Sequence, residues 1–351
     1  MTKRIIKYVL FVFFISVSLL NNAQNLNEYE FPRGDMRIMF YNVENLFDIY
    51  NDSITSDEEF TPEGGRHWMN SRYYKKLNNI SKVITAIGQW ELPEIIGVCE
   101  IENRYVLEGI IKQTALKKYP YRIIHKESPD RRGIDVGFLY RKDKFTPIEY
   151  EAIKIMFPYE PDSKTRDILY VKGFNKFKDT MHIFINHWPS RWGGQMETDH
   201  KRIFVASVLK HKTDSIFNAD TEPNIIIMGD LNDYPQNNSL KETLSAKTEY
   251  SEIENESLYN LAYYLQEKKG KGSHKHEGEW GVLDQIIVSG SMLNPKNNIH
   301  TSLDDAHVFD APFLLETDEN FVGYKPFRTY VGFTFHDGFS DHLPVYLDLF
   351  K

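Results

Sequence analysis

The side chains best suited to share one reaction centre recur in this 351-residue chain at one kind of place, the end of a short apolar run. Asn42 and Glu44 follow Ile38-Met39-Phe40-Tyr41, and Glu100 ends Ile95-Ile96-Gly97-Val98-Cys99. Asn186 and His187 close Ile183-Phe184-Ile185, while Asp230 and Asn232 follow Ile225-Ile226-Ile227-Met228. Asp284 opens a further run, and Ser340-Asp341-His342 precedes the last. Taken singly, each is explained by a turn, because Asp and Asn are common turn residues. Six such sites at strand ends are the arrangement by which a sheet holds polar groups around one cleft.

The chemistry that fits is hydrolysis of a phosphoester. Glu100 and Asp341, with the amide oxygen of Asn42, are hard oxygen ligands of the type that Mg²⁺ or Mn²⁺ accepts. A carboxylate placed directly after an apolar run is costly to bury unless a cation or hydrogen-bond donors meet it, which singles out Glu100. Asp230 is positioned to align or deprotonate a water, and Asn232, two residues on, can point to the same side. His187 and His342 can donate to phosphate oxygens, with Asp284 holding His342 in the donor tautomer. No covalent nucleophile is required. Arg191, Arg132 and Asn186 are candidate phosphate contacts, since guanidinium reads such groups bidentately. Arg202 is expected on a solvated helix face.

These residues need elements to position them. Runs rich in Ile, Val, Phe and Tyr predict strands at Met36 to Tyr41, Ile95 to Ile101, Tyr121 to His125, Ile134 to Tyr140, Met181 to Asn186, Ile225 to Met228, Leu283 to Ser289 and Val345 to Phe350. Helical spacing links Tyr73 to Ile87, Val106 to Leu116 after an Asn103 N-cap, and Ile203 to Ile216. Several connections are too short for a helical crossover, so the reading is an α/β fold of two packed, largely antiparallel sheets flanked by helices.

A hydrophobic content of 41% supports a substantial core. Lys3, Arg4 and Lys7 precede an apolar run from Val9 to Leu20, the pattern of a signal peptide over residues 1–23. A polar leader over 24–35 and one domain over 36–351 follow. The expected product is periplasmic or secreted, monomeric and without a stable membrane span. The lone Cys99 excludes an internal disulfide. Loss of three basic residues with the signal takes the formal net charge from −8 to −11, which disfavours nonspecific grip on a polyanion. The polar loop from Asp48 to Asn70 is expected to rim the cleft, and the lysines at 268, 269, 271 and 275, with His274 and His276, are expected in a solvated hairpin. Thr301 to Asn320 reads as an acidic surface excursion.

The motifs Phe40-Tyr41-Asn42-Val43-Glu44-Asn45, Val98-Cys99-Glu100-Ile101-Glu102-Asn103, Asn186-His187-Trp188-Pro189-Ser190, Gly229-Asp230-Leu231-Asn232-Asp233, Leu283-Asp284-Gln285 and Ser340-Asp341-His342-Leu343-Pro344 together resemble the endonuclease/exonuclease/phosphatase superfamily. That family includes deoxyribonuclease I-like nucleases, abasic-site endonucleases and inositol- and sphingolipid-phosphoesterases. The resemblance implies a four-layer α/β/β/α sandwich and an enzyme dependent on Mg²⁺ or Mn²⁺. It implies metal-side roles for Asn42, Glu100, Asp341 and a second carboxylate, Glu44. Asp230 with Asn232 would act on water and phosphate, and His187 with the Asp284/His342 couple would bind phosphate. It also offers Asp135 and Tyr140 as residues approaching substrate. The expected activity is that of an exported nuclease or phosphodiesterase acting on nucleic acid. The alternatives are a hydrolase of small or lipid phosphoesters and a noncatalytic phosphate-binding module.

Overall fold

The computed structural model describes residues 33–351, and each of the eight apolar runs forms a strand. The signal segment and residues 24–32 of the leader lie outside the described residues. In chain order the first strands are β1 (Met36–Leu46), β2 (Ile95–Ile101), β3 (Tyr121–His125), β4 (Asp135–Arg141), β5 (Phe145–Ile153), β6 (Ile168–Asn175), β7 (Thr180–His187) and β8 (Asn224–Asp230). They are followed by β9 (Ala246–Lys247), β10 (Leu258–Asn260), β11 (His274–His276), β12 (Glu279–Gly281), β13 (Asp284–Ser289) and β14 (Ala306–Val308). Two small hairpins, β15 (Leu315–Thr317) with β16 (Tyr324–Pro326) and β17 (Tyr330–Val331) with β18 (Thr334–Phe335), precede β19 (Val345–Leu349).

The strands build two mixed sheets, ordered β14-β19-β1-β2-β4-β3 and β5-β6-β7-β8-β13-β10-β9. Within them only β1–β2, β7–β8 and β9–β10 run parallel. Among the described residues, four α-helices accompany the sheets: α1 (Asn70–Gly88), α2 (Arg104–Lys112), α3 (Gln195–Ala219) and α4 (Leu261–Lys269). The α2 start is set by Asn103, whose side chain accepts the Val106 N–H as an N-cap does. No helix among the described residues is long and apolar enough to cross a membrane.

Neighbouring residues of a strand face opposite ways, and β2 shows what each face meets. A Cβ built on Gly97 would lie 2.8 Å from Ile185 of β7 and 3.2 Å from Met228 of β8, so this face packs on the second sheet. On the other side, Val98 and Leu107 of α2 both crowd Gly137 of β4, so that face packs on helix. The outer face of the second sheet is covered by Val205, Ala206, Leu209 and Ile216 of α3, against Phe184, Ile225 and Ile227. Four layers result, helix on sheet on sheet on helix, as the family resemblance implied. A methyl group at Gly97 would require the ends of the Ile185 and Met228 side chains to shift.

The topology gathers the polar strand ends. The parallel strands β1 and β2 finish at the same edge of the first sheet, where the antiparallel β4 and β19 begin. In the second sheet β7 and β8 finish together, and β13 starts opposite them, with Asp284 across from Asp230.

Three surface expectations are corrected. Arg202 is fully buried, because its helix lies against the second sheet and Asp233 pairs with its Nε at 2.9 Å. The β11–β12 hairpin exists, but Lys275 is almost wholly covered through its ion pair with Asp318, and Lys268 and Lys269 end α4 instead. The 301–320 stretch contributes β14, an edge strand of the first sheet.

Candidate active site

Four non-glycine residues at the converging strand ends adopt positive φ: Glu44 at 53°, Asn45 at 56°, Glu100 at 60° and Asn232 at 50°. Such conformations cost of order 1–3 kcal/mol each and persist where surrounding structure enforces them, typically at functional sites. Three of them fall within two shifts of register, Glu44 and Asn45 where β1 slips against β2 between Asn42 and Leu46, and Glu100 where β2 slips against β4 between Cys99 and Ile101. The irregularity at Glu100 re-aims its carboxylate, which by strict alternation would follow Val98 toward the helices.

Asn42 is the hub. Its Nδ2 donates to Glu100 Oε1 at 3.3 Å and to Asp230 Oδ2 at 3.1 Å, and its Oδ1 accepts the Glu44 N–H at 3.0 Å. Glu100 also accepts the Asn45 N–H at 3.0 Å. The amide oxygen accepts this one backbone donor, and the amide nitrogen holds two carboxylates in register.

Around Asp230 stand two imidazoles. His187 Nε2 lies 3.8 Å from Asp230 Oδ2 and 3.9 Å from Glu100 Oε1, and His342 Nε2 lies 3.8 Å from the same Asp230 oxygen. His342 Nδ1 meets Asp284 Oδ2 at 2.6 Å. The rings differ in charge. Burial, with Arg166 and Arg132 nearby, holds His187 well below the ordinary imidazole range. Burial also opposes charge on His342, but Asp284 and then Asp230 outweigh it and raise that ring well above its usual range. Burial pushes Asp230 up to about 6 against the pull of His342, a value suited to a base near neutrality. Asn232 donates its backbone N–H to Asp230 at 3.0 Å and its Nδ2 to the Trp188 carbonyl at 3.0 Å.

On the other side, Arg328 joins the acids. Its Nε donates to Glu44 at 3.0 Å and its Nη2 to Asp341 at 2.9 Å, while Glu44 also accepts the Thr329 N–H at 2.7 Å. Burial and then Asp341 raise Glu44, whereas Arg328 overcomes burial and lowers Asp341. Lys76, fully buried, bonds to Thr329 and the Phe339 carbonyl, and burial brings it down to about 8 despite the pull of Glu44, Asp341 and Glu100. The donor set is thus Glu44, Glu100, Asp230, Asp284 and Asp341 against Arg328, Lys76 and the His342 imidazolium, a surplus of about two negative charges. A hard divalent cation fits that deficit. Among the described residues, two three-ligand groupings here have donor atoms within 4.8 Å of one another: His274 with Asp341 and His342, and Asp230 with Asp284 and His342. Glu44 and Glu100 are in neither, so the compact four-residue metal set expected from sequence is loosened by the intervening Arg328.

The remaining candidates separate. Arg132 lies half exposed near Asp130, and Arg191 braces the loop after β8 through the Asn232 carbonyl at 2.7 Å and Asp233 at 3.3 Å. Asn186 is corrected: it neighbours His187, so alternation turns it away, and its Oδ1 accepts the Trp188 indole N–H at 3.1 Å. Tyr140 is corrected too, because it pairs with Ile95 at the far end of β2, five residues or roughly 17 Å from Glu100. Its ring packs with Phe138 and Phe145. Asp135 does lie at the right edge, but His125 and Ser128 bind it.

Three site residues escaped sequence reasoning. His274 sets its ring 4.7 Å from that of His342, tilted by 40°, and Arg328 and Arg166 arrive from segments without apolar patterning. Arg166 ties Asp130 to the carbonyls of His187 and Trp188, fixing the end of β7. For His274 the local His-Lys-His run was a visible signal, while for the arginines none existed.

A family model described as Endonuclease/Exonuclease/phosphatase family matches residues 37–351. Among solved structures, the human Nocturnin catalytic domain with bound sulfate aligns with a TM-score of 0.53 at 15% identity, covering 90% of this chain and 93% of that one. A truncated Caenorhabditis elegans TDP2 gives 0.53 at 14%, covering 90% and 97%. The Bacteroides thetaiotaomicron mannosyl-6-phosphatase Bt3783 gives 0.54 at 14%, covering 90% and 100%. At these identities the likeness speaks to the fold. No curated protein matches by sequence.

Proposed function

Because this chain belongs to the endonuclease/exonuclease/phosphatase family, we propose that it is an exported, divalent-metal-dependent hydrolase of small phosphoesters, working by direct attack of water on phosphorus. Glu100 and Asp341 would hold Mg²⁺ or Mn²⁺, which supplies charge neutralisation at the phosphate. Asp230 accepts a proton from water as the new P–O bond forms. His342, kept cationic by Asp284, donates from Nε2 to a phosphate oxygen as charge accumulates there, and His187 offers a neutral donor beside it. The ester P–O bond breaks in line with the attack, and the leaving oxygen takes its proton from solvent.

The preference for small esters rests on one observation. Six arginines around the cleft already face carboxylates: Arg66 with Glu59, Arg132 and Arg166 with Asp130, Arg191 and Arg202 with Asp233, and Arg328 with Glu44 and Asp341. Tracking a nucleic-acid backbone needs cations free to displace counterions. Nucleic-acid cleavage remains the second reading, favoured by Trp192, which is 89% exposed beside Arg191 and offers a face for a base. The test is turnover by the purified protein with Mg²⁺, Mn²⁺ or chelator on a phosphomonoester, a phosphodiester and plasmid DNA. Metal-dependent monoester turnover, lost in Asp230→Asn, is expected. Cleavage confined to plasmid would replace this reading with the nuclease, and inactivity with every metal would leave a phosphate-binding module.

A further inference from the structure

A cavity of about 250 Å³ adjoins the acids on the side of Asn42 away from Asp230, lined by Glu44, Asn45, Phe60, Arg66, Arg328 and Tyr330. Building on the hydrolytic reading above, we infer that this cavity seats the leaving group of the substrate, and that the group is compact, uncharged and rich in hydroxyls.

Position comes first. In-line displacement places the departing oxygen opposite the attacking water. Asp230, the base, touches the NH₂ end of the Asn42 amide, and the N–H of Glu44 touches its oxygen end. Asn45 shares the cavity wall and also binds Glu100 through its backbone. The cavity therefore begins one hydrogen bond from Glu100 and at Glu44 itself, while Asp230, which does not line it, meets the other end of the Asn42 amide.

Size and chemistry narrow the occupant. The volume falls below the roughly 300–1,000 Å³ of pockets for drug-sized ligands, so one ring-sized group fits and a base pair does not. Arg66 is held rigidly, its guanidinium 4.8 Å, 5.1 Å and 5.4 Å from the Phe60, Tyr330 and Phe333 ring centres. It spends Nε on Glu59 at 2.9 Å and Nη1 on the Gly332 carbonyl at 2.8 Å, leaving Nη2 without a partner among the described residues. Arg328 spends Nε and Nη2 on Glu44 and Asp341, leaving Nη1 likewise. The wall thus offers fixed donors, but both guanidinium charges are already matched by carboxylates. A second phosphate or a carboxylate on the leaving group would find no unbalanced cation, whereas hydroxyl oxygens accept such donors at no charge cost.

Binding to the Asp230→Asn protein with Mg²⁺ tests the cavity apart from turnover. The probes are a hexose 6-phosphate, a hexose bisphosphate, phenyl phosphate and orthophosphate, each titrated calorimetrically with and without Arg66→Gln. The hexose monoester is expected to bind at least about tenfold more tightly than phenyl phosphate, and Arg66→Gln to remove most of that advantage while weakening orthophosphate far less. Should Arg66→Gln disturb the fold by circular dichroism, Arg66→Lys makes the same test with the charge kept and the guanidinium fork removed. Equal weakening of all four probes, or tighter binding of the bisphosphate, overturns the inference. The expected binding pattern without hydrolysis by the unsubstituted protein would uphold the cavity assignment and remove the hydrolytic reading.

Discussion

Replacing Asp284 by Asn should cripple the site while leaving its geometry nearly intact. Asp284 is wholly buried, its Oδ2 is 2.6 Å from His342 Nδ1, and its Oδ1 has no hydrogen-bond partner among the described residues, so its chief engagement is this imidazole. Burial alone would discharge His342; Asp284 is the largest influence against it and Asp230 the next. With the carboxylate made an amide, the largest pull toward the charged ring is lost and the imidazolium is held less firmly, with Asp230 left as the main support. The phosphate then faces a weakened donor, and loss of a donor in comparable anion-stabilising sites costs about 10²- to 10³-fold in kcat, or roughly 2.7–4 kcal/mol. The loss grows toward 10⁴ if the amide also inverts the tautomer. Activity that needs protonated His342 holds below that ring's pKa and falls above it, so the alkaline limb of the kcat–pH profile should move to lower pH in the variant. Steady-state turnover of an aryl phosphate from pH 5 to 10 at saturating Mg²⁺ measures both effects. A kcat within threefold of the parent and an unmoved alkaline limb would refute the role given to the pair.

Two further outcomes concern the frame. Arg202→Met leaves Asp233 buried beside Ser239 and Arg191 without its closest cation, and should lower stability by about 3–5 kcal/mol in urea unfolding; a loss below 1 kcal/mol would contradict a structural buried pair. Burial holds His182, bonded to the Tyr170 hydroxyl at 2.7 Å, down to about 4 in the folded chain. The unfolded chain takes up this proton as pH falls through about 6.5, so stability is complete above that value and declines by roughly 2–3 kcal/mol on the way to pH 4. His182→Gln should flatten that part of the stability–pH curve, and an unchanged slope would count against it.

The sequence made the central strands readable because they are buried on both faces and therefore nearly continuous in Ile, Val and Phe, as in β2, β7 and β8. It did not reveal β5, an edge strand whose Thr146, Glu149, Tyr150 and Glu151 face solvent and dilute the apolar pattern, nor its neighbour β6. Helix α4 was hidden because it buries only Leu261, Ala262 and Leu265, too few to show a helical period, although Asn260 caps it and Gly270, at φ 59°, ends it. Asp230, His187, Asp284 and His342 were legible because regular strands carry them to one edge. Asn186 and Tyr140 were misplaced for want of two simple rules, alternation and distance along a strand. Arg328, by contrast, reaches Glu44 across 284 positions, a closure that no local pattern encodes.

Hydrolysis in ¹⁸O-enriched water, with Mg²⁺ restored after chelation, tests the attack itself. One ¹⁸O atom per turnover should appear in inorganic phosphate and none in the released alcohol, with the labelled product absent in the chelated protein. Label in the alcohol, or metal-independent labelling of phosphate, would contradict water attack on phosphorus at this cluster.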